Sequence, residues 1–162
     1  MKEYRIKQKF LSLNGTFDIA DELGLPVYHV EGSFLKWFKE FTVTDSLGKE
    51  VSSIKHRFSF LLPEFEVTMA SGETFTLLKE FTFFKDKYSI NNLGLEINGD
   101  WWDMNFTLSK NGRTIAQIHQ EWLRLASTYQ GQVLEDDYAD LVVTLVIAID
   151  YVKQMEAAAN NG

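Results

Sequence analysis

Pairs of aromatic residues seven positions apart recur along this chain every 23 or 24 residues: Phe10 and Phe17, Phe34 and Phe41, Phe58 and Phe65, Phe81 and Tyr88. A shortened unit around Trp102 and Phe106 follows, and the pair returns as Trp122 and Tyr129. The second aromatic of each unit opens an alternating apolar run: Phe17-x-Ile19, Phe41-x-Val43, Phe65-x-Val67, Tyr88-x-Ile90 and Phe106-x-Leu108. Glycines mark the same period at Gly24, Gly48, Gly72, Gly94 and Gly112. Period-two alternation belongs to a strand with one buried face, and the glycines end each strand in a turn. The repeat is a β-hairpin used about six times, which predicts about twelve strands over residues 4–134.

Composition agrees with a β-rich chain. Of 162 residues 14% are aromatic, 13 of them Phe, and only Pro26 and Pro63 would interrupt strands. The length suits a single domain, taken as residues 1–155, with 156–162 as a tail that frays. There is no cysteine, which excludes disulfides, thiolate metal sites and thiol nucleophiles. The formal net charge of −7 disfavours general binding to nucleic acid. Met1–Lys7 carries no apolar stretch of a secretory signal, so a cytoplasmic location is expected. Turn signals stand at Asn14-Gly15, Ser71-Gly72, Asn98-Gly99 and Asn111-Gly112.

After residue 134 the pattern changes. Residues 138–155 read as a helix preceded by Glu135, Asp136 and Asp137, acids that offset the helix dipole. Asp137 and Asp140 are spaced like a capping box. Leu141–Ile149 is apolar on every face except at Thr144, so the helix must be buried on all sides. Asp140 and Asp150 bracket a run too short for a membrane span, which needs about 20 apolar residues. Twelve tilted strands would close into a barrel of about 12 Å backbone radius, wider than wall side chains alone can fill. A helix of about 5–6 Å radius on the axis fills the remainder. The expected fold is therefore mainly β: a closed antiparallel barrel of about twelve strands around a central hydrophobic C-terminal helix. Val143, Val146, Ile147 and Ala148, pointing in different directions, should all be core.

Three segments carry a resemblance to a known family. Tyr4-Arg5-Ile6-Lys7-Gln8-Lys9-Phe10 resembles the opening strand of the LURP-one-related family, in particular its small bacterial YxjI-type members. Gly99-Asp100-Trp101-Trp102-Asp103-Met104-Asn105-Phe106 resembles the family's Gly-Asp-aromatic-aromatic-Asp segment, and Ala148-Ile149-Asp150 resembles its C-terminal end. The resemblance implies a tubby C-terminal-like fold, a twelve-stranded barrel around a hydrophobic helix. Tubby domains bind phosphoinositides, but their lipid-binding residues cannot be matched to positions of this sequence.

The candidate sites are sparse. Arg5, Lys7 and Lys9 alternate along the first strand and would share one face, as an anion or lipid-headgroup patch or as a solvated outer wall. Lys55-His56-Arg57 admits the same two readings. Glu135, Asp136, Asp137 and Asp140 lack the spacing of a calcium loop and are expected to cap the helix. Asp100 and Asp103 flank Trp101-Trp102 and either organise the shortened repeat or form a carboxylate pair for acid–base work. His29, His56 and His119 lie in separate strands without metal spacing. Trp37, Trp101 and Trp102 are candidates for partner contact. No catalytic, cofactor or metal residue is assigned. The expectation is a non-catalytic binding or scaffold module without a cofactor, its partner an anionic phospholipid headgroup or another protein. The alternative is a small enzyme with a carboxylate site on the barrel rim.

Overall fold

The computed structural model describes residues 1–7, 16–32, 40–57, 64–80, 87–90, 94–100, 104–123 and 126–160. The described residues form twelve strands: β1 (Lys2–Lys7), β2 (Thr16–Asp21), β3 (Pro26–Gly32), β4 (Glu40–Asp45), β5 (Glu50–Arg57), β6 (Glu64–Met69), β7 (Thr74–Glu80), β8 (Lys87–Ile90), β9 (Leu95–Asp100), β10 (Asn105–Lys110), β11 (Arg113–Leu123) and β12 (Ala126–Val133). A single 3-10 turn, Asp136–Tyr138, leads into helix α1 (Ala139–Asn160). The helix continues to Asn160, five residues beyond the expected end at 155.

The aromatic repeat has a direct structural meaning. Phe17, Phe41, Phe65, Tyr88 and Phe106 are each the second residue of an even-numbered strand, β2, β4, β6, β8 and β10. Phe41, Phe65 and Phe106 are buried, as are Ile19, Val43, Val67 and Leu108 two positions on. Period two therefore puts one face of β2, β4, β6 and β10 into a common core.

All pairings are antiparallel and form one sheet in the order β8-β7-β6-β5-β4-β3-β2-β1-β12-β11-β10-β9. Every neighbour is also a neighbour in sequence except β1 and β12, which join the two chain ends from Lys2↔Val133 to Lys7↔Thr128. Edge strands β8 and β9 are not joined by a ladder among the described residues. The sheet is thus not closed by hydrogen bonds there, a coarser result than the closed barrel expected from strand count.

The sheet nonetheless curls. Helix α1 contacts both β5 and β12, five positions apart in the strand order. Laid flat, those strands would be about 24 Å apart. A helix about 10–12 Å across reaches both only if the sheet wraps around it. Ten consecutive helix residues, Leu141–Asp150, are buried, so every face of this segment is covered. Val143, Val146, Ile147 and Ala148 are 2, 2, 3 and 0% exposed. Buried Thr144 accepts no apolar compromise: its hydroxyl donates to the Asp140 carbonyl at 2.7 Å, and Ser52 Oγ of β5 lies 2.6 Å from it. A hydroxyl has one proton, so Ser52 is the donor in that second bond.

The turns follow two patterns. Between β2 and β3, Gly24 N–H donates to Asp21 O and Asp21 N–H to Leu25 O, with Gly24 at φ +81°. The β4–β5 turn repeats this with Asp45, Gly48 and Lys49. Both are type I turns followed by a left-handed glycine bulge. Asn111-Gly112, with φ 50° and 79°, makes the two-residue β10–β11 hairpin. The expected turn at Asn98-Gly99 is not one. Both residues lie inside β9, and Gly99 pairs with Phe106. A Cβ on Gly99 would stand 2.8 Å from Asn105 O, so the glycine is needed for close strand approach. Asn14-Gly15 lies outside the described residues.

Candidate functional site

Strand register gathers the start of β1, the end of β2, the start of β3 and the end of β4 at the rim where α1 begins: Tyr4 pairs with Asp21, and Tyr28 with Asp45. There they line a cleft of about 370 Å³. Its apolar side is made by Tyr4, Val27 and Tyr28, its polar side by Lys2, Glu3, Asp21, Glu22, Asp45 and Ser46. The two tyrosine rings pack with centroids 5.6 Å apart at 58°. Tyr28 OH donates to Asp140 Oδ1 at 2.7 Å, tying β3 to the first turn of α1. Burial raises the Tyr28 phenol far above its ordinary value, and the bond to a carboxylate adds to the shift because it favours the protonated donor. Tyr4 is also raised, chiefly by burial.

Asp21 and Asp45 are held by their own turns. Asp21 Oδ1 accepts the N–H groups of Leu23 and Leu25, both at 2.9 Å. Asp45 Oδ1 accepts those of Leu47 and Lys49 at 2.9 and 3.0 Å. The turns that carry them present Leu23, Leu25 and Leu47 to solvent. Sequence reasoning missed this cleft. The legible signal was the echo of Asp21-Glu22-Leu23-Gly24 in Asp45-Ser46-Leu47-Gly48.

Glu135, Asp136 and Asp140, three of the four acids expected to cap the helix, make other contacts. Glu135, the N-cap of the 3-10 turn, makes no side-chain cap bond; it pairs with Arg113 at 2.6 Å. Asp136 lies 3.4 Å from the Met1 ammonium, and Asp140 accepts from Tyr28. These carboxylates tie the helix start to surrounding strands, while their place in the first turns still suits the dipole.

Arg5 and Lys7 occupy alternate positions of β1, paired with Gln130 and Thr128; Lys9 lies outside the described residues. Gln130 pairs onward with His119 and Thr128 with Glu121. Glu3 precedes them on the same strand and accepts from Gln132 at 2.8 Å. Lys55 is paired in register with Glu40 and Glu66, and Arg57 with Glu64. Lys55 Nζ is 3.7 Å from Glu40 Oε1. Both cationic segments are therefore interleaved with carboxylates in the ladder.

The histidines stay apart, in β3, β5 and β11. His29 Nδ1 contacts Asp18 Oδ1 at 2.7 Å, and His56 stacks on Phe65 at 5.0 Å. Among the described residues no group of three or more His, Asp or Glu side chains is set to hold a metal. Asp100 is exposed at the end of β9; Asp103, Trp37, Trp101 and Trp102 lie outside the described residues. No helix of the described residues is long and apolar enough to cross a membrane.

A twelve-stranded antiparallel sheet curled on one C-terminal helix defines the fold class of the described residues. An Arabidopsis thaliana protein of known crystal structure has the same fold, with a TM-score of 0.60 over 93% of this chain and 91% of that one, at 18% identity. The LURP-one-related family profile matches residues 2–150, and the chain belongs to the LURP-one-related family. It is 30% identical over 74 residues to the Bacillus subtilis protein named "Uncharacterized protein YxjI". That match spans 46% of each chain, less than half the length of the relative.

Proposed function

We propose that the protein is a non-catalytic, cytoplasmic binding module in which a tubby C-terminal-like barrel closes around α1 and recognition is left to the outer surface. One observation carries this reading: the space enclosed by the curled sheet is taken by the protein's own helix, with Leu141–Asp150 buried throughout. Ligand sites in barrels are ordinarily cavities at their mouths or centres. An interior occupied by Val143, Val146, Ile147 and Ala148 is packed core instead. Titrating the protein with a fluorescent fatty acid tests this. No uptake into the folded protein is expected; stoichiometric uptake with altered core methyl resonances would overturn the reading.

The lipid-docking form of the proposal uses Arg5, Lys7 and Lys9 on anionic headgroups, each basic residue near such a surface contributing about 1 kcal/mol. The interleaved Glu3 and Glu121 weaken it. Co-sedimentation with anionic against neutral vesicles, before and after Lys7→Glu with Lys9→Glu, decides it. Equal, negligible binding to both at low salt retires it.

A further inference from the structure

The large hydrophobic side chains exposed among the described residues all stand at one end of the sheet: Met1, Leu23, Leu25, Leu47 and Leu134. Leu23 and Leu47 are 77 and 90% exposed and hold the same place in two adjacent hairpin turns. The pairing of β3 with β4 sets those turns two strand spacings apart, about 10 Å. Turn geometry does not call for leucine at either tip. The Asp carboxylate satisfies the turn N–H groups and the glycine supplies the left-handed φ. Grouped exposed apolar side chains beside a cleft mark an interaction surface.

The charge of the cleft says what kind of partner fits. Its lining holds four carboxylates, Glu3, Asp21, Glu22 and Asp45, against the single ammonium of Lys2, a surplus of three negative charges. Such a surface repels an anionic membrane and a second copy of itself, and attracts a cation. We propose that this rim docks a basic amphipathic segment of a partner protein. The segment's large apolar side chains seat against Leu23 and Leu47, and its lysines or arginines face Glu22 and Glu3. The inference rests on the reading of the protein as a binding module and names the surface and partner.

Two labelled peptides of about twelve residues, one Lys/Leu and one Glu/Leu amphipathic, test it by chemical-shift mapping and anisotropy at low salt, beside neutral and anionic vesicles. The Lys/Leu peptide is expected to bind, with shifts confined to residues 21–25, 45–49 and the start of β1. Leu23→Ser with Leu47→Ser should weaken it about tenfold, as should Glu22→Lys alone. All three positions are exposed, so unchanged melting temperatures verify that the fold is kept. Equal binding of the Glu/Leu peptide overturns the proposal. So does no binding at all. Anionic-vesicle binding lost in the leucine variant would assign the rim to membrane, and self-association lost in that variant would assign it to a second copy; either overturns it. Shifts centred on the Arg5–Gln130–His119 row would overturn the rim and leave the module reading standing. Shifts around Val143 and Val146 would overturn both.

Discussion

Tyr28 and Asp140 are 112 residues apart in sequence and joined by a 2.7 Å hydrogen bond. The bond connects β3 of the wall to the first turn of the helix that the wall encloses. Its donor, Tyr28, also lines the acidic cleft.

Removing it has a stability and a pH signature. Tyr28→Phe keeps the ring packed on Tyr4 and deletes only the hydroxyl, which should cost about 1–2 kcal/mol, since the acceptor is charged but exposed. The folded Tyr28 phenol lies above its unfolded value, so the folded state holds that proton longer. Its contribution is fully present below about pH 10 and is lost as pH rises from there toward the folded value. Urea unfolding between neutral pH and about pH 11 should show stability falling less steeply in Tyr28→Phe than in the natural protein. Identical slopes would show that the phenol is not held this way.

Ser52 and Thr144 form a second link between wall and helix, and they should behave as a unit. Thr144→Val leaves the Ser52 hydroxyl, 1% exposed, without its acceptor, a loss of about 1–3 kcal/mol. Adding Ser52→Ala removes the orphan and should recover part of that loss. Additive destabilisation in a double-mutant cycle would contradict the pairing.

The helix interior admits no charge. Val146→Asp places an unpaired carboxylate where the valine is 2% exposed and should cost about 3–5 kcal/mol, read as a lowered denaturation midpoint or loss of soluble protein. Deleting residues 139–160 should leave no cooperative unfolding transition. A soluble, cooperatively folded deletion product would refute the role of α1 as core.

Two glycines with positive φ separate backbone strain from crowding. At Gly112 an added Cβ meets open space, so Gly112→Ala should cost only the left-handed penalty, about 1–2 kcal/mol. At Gly99 the Cβ would also meet Asn105 O at 2.8 Å and Phe106 Cα at 3.1 Å, both backbone. Gly99→Ala should therefore be the more destabilising, and thermal melts of the two variants rank them directly.

The hairpin repeat was legible because it is local. Aromatic and β-branched residues two apart must share a face, whatever surrounds the strand. For that reason Phe41, Phe65 and Phe106 fall at equivalent places in the even strands β4, β6 and β10. The burial of Leu141–Ile149 was legible for an equally simple reason, since a helix apolar all round has no face to give to water. Asn98-Gly99 misled because Asn-Gly signals a turn only where the chain reverses; here the glycine serves the strand next to it. The helix acids misled in the same way. Capping was the nearest use for Asp140, and a tyrosine 112 positions upstream was invisible in the local pattern.

The sequence by itself determined the elements, their number, the buried face of each and the need to enclose the helix, because periodicity and burial act within a few residues. Only the tertiary structure decided where function is to be sought. The cleft exists because antiparallel register sets Asp21 beside Tyr4 and Asp45 beside Tyr28, bringing two hairpin turns from different repeats to one rim. That register depends on how strands pair across the sheet. Neither the leucine tips nor the surplus of carboxylates forms a surface until β1–β4 have paired.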